Sequence, residues 1–191
     1  MKKIKLLLLA LLVAISGAML KAQNEMSFEQ MIPVRVLMPV NNDVKGDALT
    51  VLYNRVTQAV TLNGLGSSTN ESRFLIVTSV TILSKNVTTS IPPQFLAEVE
   101  VSFYFVEFRR VLFRSDNVNK VILSQEMITK KGMDNNEDRA VAKAVKSIQA
   151  RDPKLKKLIT LGKKRAIEYY KTIGDDGGNA EGEPDVSWIF E

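Results

Sequence analysis

The sequence predicts an α+β fold, a two-layer α/β arrangement. A mixed sheet of about four strands is covered by helices in the order strand, helix, strand, strand, strand, helix, helix. Three observations carry this. Over Ala97 to Val106, Val99, Val101, Phe103 and Phe105 alternate with Glu98, Glu100, Ser102 and Tyr104, the period of two that gives a strand one buried and one wet face. Arg73 to Lys85 carries Phe74, Ile76, Val80 and Ile82 on one register and Leu75, Val77 and Leu83 on the other, so its first half is covered on both faces. Three further stretches repeat apolar residues at intervals of three and four, as helices packed on one side do.

In chain order, Val34 to Val40 is the first predicted strand, and Pro39 places it at an edge or closes it. A polar loop with Asn41, Asn42, Asp43 and Gly46 follows. Asp47 has the chemistry of an N-cap, Leu49, Leu52, Tyr53, Val56 and Val60 form a helical stripe, and Gly64 stands where a left-handed residue ends a helix. Gly64 to Ser72 is predicted as loop. Its Gly64 and Gly66 are no phosphate cradle, because that motif joins a strand to a following helix and the order here is reversed. Ile91-Pro92-Pro93 marks the turn before Ala97, and Val118 to Lys131 is a further strand. Asn135 or Asn136 caps the next helix, with Glu137 and Asp138 in its first turn and Ala140, Val141, Ala144, Val145 and Ile148 on its apolar face. Asp152-Pro153 then opens the last helix. Its apolar arc includes Leu155, Leu158, Ile159, Gly162, Ala166 and Ile173, opposite a basic arc from Lys154 to Lys171. A glycine within that apolar arc signals a close backbone approach.

The 191 residues include no Cys and no His. That removes thiol and imidazole nucleophiles and bases, Cys/His zinc sites, disulfides and a lipid-modified N-terminal cysteine. Lys2, Lys3 and Lys5 precede an apolar run ending near Leu20 and then Lys21-Ala22-Gln23. This is the layout of a secretory signal peptide, with cleavage expected between Ala22 and Gln23 and no stable membrane span afterwards. The predicted organisation is signal peptide 1–22, one α/β domain 23–173 and an acidic disordered tail 174–191. The tail holds six acids and no base, whereas residues 23–173 hold 22 basic and 15 acidic side chains. An acidic tail folding over the basic arc at low salt is expected from that asymmetry. The apolar end, Val186 to Phe190, has no role in this scheme.

Glu107 to Ser115 reads EFRRVLFRS. Taken with Tyr104 and Phe105, its Phe108, Arg109, Arg110, Phe113 and Arg114 would suit stacking on bases and neutralising phosphates. The same peptide, however, is identical to an in-frame translation of a widely used short-read sequencing adapter. It is therefore read as an insertion from assembly, and no nucleic-acid partner is expected.

Candidate chemistry is sparse, and no catalytic, cofactor-binding or metal-binding residue is expected. Glu98 and Glu100 share a strand face at a spacing from which two carboxylates can flank a substrate, yet acids alternating with core residues are ordinarily a solvated face. Asn42, Asp43 and Asp47 offer oxygen ligands without calcium-loop spacing. Lys130, Lys131 and Gly132 lie between a strand's carboxyl end and a helix N-terminus, where anions and other ligands gather in open sheets.

TQAVTLNGLGSSTNESRFLIVTSVTILSKNVTTSIPP, AEVEVSFYF, KKGMDNNEDRAVAKAVKSI and GKKRAIEYY resemble a family of secreted Bacteroidota proteins of no assigned activity. The strand–helix–strand order, opening its second strand on Arg73-Phe74, is similar at the level of fold to the TolB N-terminal domain and to the periplasmic domain of the curli secretion channel subunit. These resemblances imply an exported, non-catalytic binding or assembly module of the periplasm or cell envelope, its partner an envelope protein or glycan. The alternative is a small carboxylate-dependent hydrolase or glycan-binding protein.

Overall fold

Five strands, β1 (Pro33–Val36), β2 (Gly66–Ser68), β3 (Phe74–Val87), β4 (Phe95–Arg110) and β5 (Val118–Asp134), form one sheet in the order β2-β1-β3-β4-β5. Three helices, α1 (Ala48–Leu62), α2 (Glu137–Lys146) and α3 (Pro153–Ile173), complete the α+β fold. The computed structural model describes residues 32–68, 72–110 and 118–173, except for side chains at 68, 108–110, 118–120 and 169–173. The Ala22/Gln23 cleavage point, the acidic tail and much of the adapter-like block lie outside the described residues.

β1 runs parallel to β2 and β3, while β3, β4 and β5 are successively antiparallel. The sheet is thus mixed, as expected, with one strand more than predicted. The extra strand, Gly66–Ser68, lies inside the segment predicted as loop, since Gly-Ser-Ser carries no alternation; backbone pairing to β1 alone defines it. β1 ends at Val36 instead of Val40 and lies between β2 and β3, so Pro39 follows a strand end and marks no edge. β4 continues past Val106 to Arg110. Its alternation continues unbroken, with Val106 on the face of Tyr104 and Glu107 on that of Phe105, and the bulge lies in β5, where Leu123 is the extra residue between Ser124 opposite Phe105 and Ile122 opposite Val106.

Register assigns the two faces. Phe74, Ile76, Val80, Val99, Val101, Phe103 and Phe105 face one way, are almost fully buried, and meet Leu52, Val56, Val141, Val145, Leu155, Leu158 and Ile159 from the helices. The Phe74 and Phe105 rings lie 6.1 Å apart and tilted. α2 and α3 both pack on β4 and β5, and α1 packs on β1, β2 and the other two helices. All three helices therefore cover the same face.

Two glycines set how closely they approach. Gly132 pairs with Ala97 and lies under Ala140 and Ala144 of α2, a seam of small residues that lets helix backbone touch sheet backbone. Gly162 of α3 lies against the Phe105 ring, the close approach predicted for it. Asn136 caps α2 by accepting from the Arg139 amide at 3.1 Å, and the Asp152 carboxylate accepts from the Lys154 amide at 3.0 Å at the start of α3. Asp47 holds the N-cap position of α1 but makes no capping bond; its carboxylate pairs with Lys146 instead. Gly64 follows α1 with φ of 73°.

Candidate functional site

The face opposite the helices is the surface that no described helix covers. Strand pairing arranges it in rows across β3, β4 and β5: Leu75, Val106 and Ile122; Val77, Tyr104 and Gln125; Ser79, Ser102 and Met127; Thr81, Glu100 and Thr129; Ser84, Glu98 and Lys131. The face is graded. Leu75, Val77 and Val106, at 1%, 3% and 0% exposure, form an apolar cluster with half-buried Leu37 and Tyr104 packed on it. Ile122 and Met127 border it and are partly exposed. Hydroxyls and carboxylates fill the far rows. Leu37 reaches this cluster because its amide extends the β1–β3 pairing, donating to the Ile76 carbonyl at 3.0 Å.

Buried apolar groups and polar side chains side by side on one strand surface suit recognition of an extended chain or a flat partner. Glu98 and Glu100 both point from this face, as alternation predicts. Glu98, however, is held by Lys131 at 3.6 Å, and its neighbours across the strands are Ser84 and Lys131, not a second acid. Among the described residues, no group of three or more acidic side chains is placed to hold a metal ion.

Lys130, Lys131 and Gly132 do not converge on one ligand position, because alternation sends successive residues of β5 to opposite faces. Lys130 turns to the helix side and lies 3.5 Å from Asp152, Lys131 turns to the open face and Glu98, and Gly132 is covered by α2. The oxygen ligands before α1 are likewise spread out. Asn41 donates to the Val80 carbonyl at 2.6 Å and accepts from the Asp43 amide at 2.8 Å, while the Asp47 carboxylate goes to Lys146.

Sequence reasoning missed two features. Arg73 and Glu107 form a buried ion pair at the apolar end of the sheet, 4% and 0% exposed; an acid on the buried register two positions past Phe105, with an arginine directly before Phe74, was the available signal. The basic arc of α3, read as a solvated face, also has structural partners. The exposed side of β5 presents carbonyls, and three basic side chains reach them: Lys154 to Met127 at 2.6 Å, Arg165 to Leu123 at 2.5 Å, and Lys143 of α2 to Met133 at 3.2 Å. Lys157 meanwhile pairs with Glu126 at 2.6 Å. These contacts block the long edge of the sheet against strand addition.

α2 is tied at both ends by ion pairs to other elements: Glu137 with Lys85 at 2.7 Å, Lys143 with Asp134 at 2.7 Å, and Lys146 with Asp47. The hydrogen bond from Lys146 holds the Asp47 carboxyl below its ordinary range, and that from Lys143 does the same for Asp134. The bond to Glu137 raises Lys85. Arg55 of α1 donates to the Lys146 and Ile148 carbonyls, satisfying the last turn of α2.

No protein-family profile and no curated protein matches this chain. Among solved structures, it is similar to the PelC dodecamer from Paraburkholderia phytofirmans, at 11% identity and a TM-score of 0.36 over 69% of this chain and 89% of that one. It is similar to a minor lipoprotein from Acinetobacter baumannii, at 12% identity and a TM-score of 0.37 over 78% and 98%. It is also similar to the lipoprotein GNA1162 from Neisseria meningitidis, at 8% identity and a TM-score of 0.36 over 55% and 85%. Similarity of this order assigns neither family nor activity.

Proposed function

We propose that this chain is exported, loses its N-terminal segment after Ala22, and acts without catalysis as a binding or assembly module of the periplasm or cell envelope. A protein partner docks on the helix-free face of the sheet. The observation that carries this reading is the grading of that face, from the cluster of Leu75, Val77 and Val106 with Tyr104 at its rim to the rows of Ser, Thr and Glu. One end supplies apolar area and the other supplies hydrogen-bonding groups that fix register. The basic N-terminus with its apolar run supports export, and among the described residues no helix is long and apolar enough to cross a membrane. The resemblance to secreted Bacteroidota proteins, and the fold-level likeness to the TolB and curli-channel domains, support the same reading.

Crosslinked pull-down from envelope fractions tests it. Capture of a stoichiometric protein, lost in Tyr104→Ser or Thr81→Arg on the open face and kept in Lys156→Ala on the helix side, is the expected result. Capture unaffected by the open-face changes would overturn it. Because Glu98 and Glu100 lie on the same face, a carboxylate-dependent glycan binder or hydrolase is the second reading. Glycan binding or cleavage abolished by Glu98→Gln or Glu100→Gln, with no protein captured, would replace the first.

A further inference from the structure

We propose that the chain's own C-terminal segment, Val186 to Phe190, docks on the apolar end of the helix-free face and competes there with the partner. This builds on the reading of that face as the binding surface. The segment VSWIF, interrupted only by Ser187, is an apolar stretch after the predicted cleavage point that no described element contains. Val186, Trp188 and Phe190 alternate, so in an extended strand all three present one side.

The path is set by α3. This helix runs antiparallel to β5: Lys154 reaches the Met127 carbonyl, the Leu158 carbonyl accepts from Ser124 Oγ at 2.7 Å, and Arg165 reaches the Leu123 carbonyl. It therefore heads towards the end of the sheet where Leu75, Val106 and Ile122 form a row on the other face. Ile173 lies eight residues beyond Arg165, about 12 Å at 1.5 Å per residue. From Ile173 to Val186 is thirteen residues, a reach of up to about 43–47 Å. Layers on the two sides of a sheet sit about 10 Å from it, so passing from the helix layer to a segment on the open face takes about 20 Å. The chain is long enough to double back past the end of α3 and round β5.

Two features favour docking on the face over pairing at the edge. Lys154, Arg165 and Lys143 occupy the β5 carbonyls at which an added strand would start. Leu75, Val77 and Val106 are buried although all three helices lie on the opposite side, so a covering segment is needed for the mature chain to keep them dry. The other candidate, residues 23–31, offers Met26, Phe28 and Met31 interrupted by Glu25 and Glu29, a poorer apolar match.

Trp188 is the only tryptophan, so its fluorescence reads the contact directly. In the mature chain, Gln23 to Glu191, the expected result is blue-shifted emission with several-fold weaker acrylamide quenching than in a peptide of residues 184–191, independent of protein concentration. Tyr104→Ser and Leu37→Ser, changes at the half-buried rim, should move both readings towards the peptide with unchanged far-ultraviolet dichroism. If either variant unfolds, Trp188→Ala serves instead: it should bind the apolar dye anilinonaphthalene sulfonate as strongly as a chain truncated after Ile173, and several-fold more than the parent. Quenching equal to that of the free peptide overturns the proposal. So does shielding that grows with protein concentration, which would mean contact between copies, or dye binding unchanged by truncation, which would leave residues 23–31 as the cover. None of these readings requires the partner. Loss of pull-down with Trp188 still shielded would sink the binding-module reading alone, whereas a truncated chain that captures more partner than the full chain supports both.

Discussion

Replacing Gly132 with alanine tests how α2 is seated. A Cβ at this position falls 2.5 Å from the Ala144 amide nitrogen and 3.1 Å from its Cα, and closer still to the Ala140 carbonyl oxygen. All three are helix backbone, which cannot rotate aside as a side chain can. Non-bonded atoms settle at about 3.5–4.0 Å, so α2 must retreat by about 1 Å. A gap of that size forfeits about a quarter to a half of each contact's attraction, and the loss falls on Ala140, Val141, Ala144, Val145 and Ile148, all fully buried. Overpacking of this kind costs about 1–3 kcal/mol, occasionally more. Alanine in a strand recovers only about 0.5–1 kcal/mol of chain entropy relative to glycine. With backbone forced to move, the upper end of that cost applies, and the expected net loss is about 2–2.5 kcal/mol, a large part of a typical total stability of about 5–15 kcal/mol. Gly162→Ala is the control. There the clash, 2.5 Å to Cγ and 2.6 Å to Cδ2, is with the Phe105 ring, and alanine returns about 1 kcal/mol of helix propensity, so the net cost is about 0–2 kcal/mol. Urea unfolding followed by circular dichroism measures both. If Gly132→Ala costs less than about 0.5 kcal/mol, or less than Gly162→Ala, α2 does not rest on this glycine.

Four further expectations follow from other contacts. Glu107→Gln should destabilise by about 3–5 kcal/mol, because Arg73 then stays buried without its counter-charge, while the double change Arg73→Met with Glu107→Leu should cost much less; equal losses in single and double variants would deny the pair its role. Lys154→Ala combined with Arg165→Ala uncovers two carbonyls of the β5 edge, so light scattering should show larger species growing with concentration, and a size distribution like the parent's would count against edge blocking. The folded-state pKa of Asp47 and Asp134 lies below the ordinary 3.8, so their contribution is complete above that value and is lost as pH falls through the folded values. Lys85, raised above 10.5, contributes fully below that value and is lost as pH rises through its folded value. Hydrogen exchange in α2, corrected for intrinsic rates, should therefore be slowest between these limits; equal protection in acid would remove the ion pairs from the account. Finally, a chain lacking residues 108–115, the adapter-like block apart from Glu107, which is retained as the partner of Arg73, keeps the core rows and should change in stability by less than about 1 kcal/mol. Loss of cooperative unfolding would show that the block is integral, and resequencing the codons for residues 95 to 125 decides whether it is native.

Wherever a face is buried, the fold was legible. Alternation in Val99, Val101, Phe103 and Phe105 located β4, the stripes of Leu52 and Val56 and of Val141 and Val145 located helices, Gly64 and Asp152 marked helix ends at the right residues, and the cap expected at Asn135 or Asn136 is Asn136. Features made by backbone or long side chains acting across the fold were not legible. β2 exists because a neighbouring strand offers an edge, a property of β1 that Gly-Ser-Ser does not encode. Asp47 has capping chemistry, yet a lysine 99 residues away takes its carboxylate. The lysines of α3 look alike in sequence, and only the position of β5 shows which reach carbonyls. Lys130 and Lys131 were grouped as neighbours in sequence, whereas the pleat separates them.

The same contacts narrow where a partner can act. One face of the sheet is filled by the three helices, the Gly132 and Gly162 seams leave no room to open between them, and basic side chains occupy the long edge. A three-residue strand forms the opposite edge, too short to template much pairing. The helix-free face is left, with its buried apolar cluster at one end and its acids and hydroxyls at the other. A partner that gains affinity at the cluster must displace whatever covers it, so its apparent affinity falls by the fraction of chains in which the cluster is open. If the tail is that cover, removing it raises affinity without altering a single residue of the face; if it is not, truncation leaves affinity unchanged.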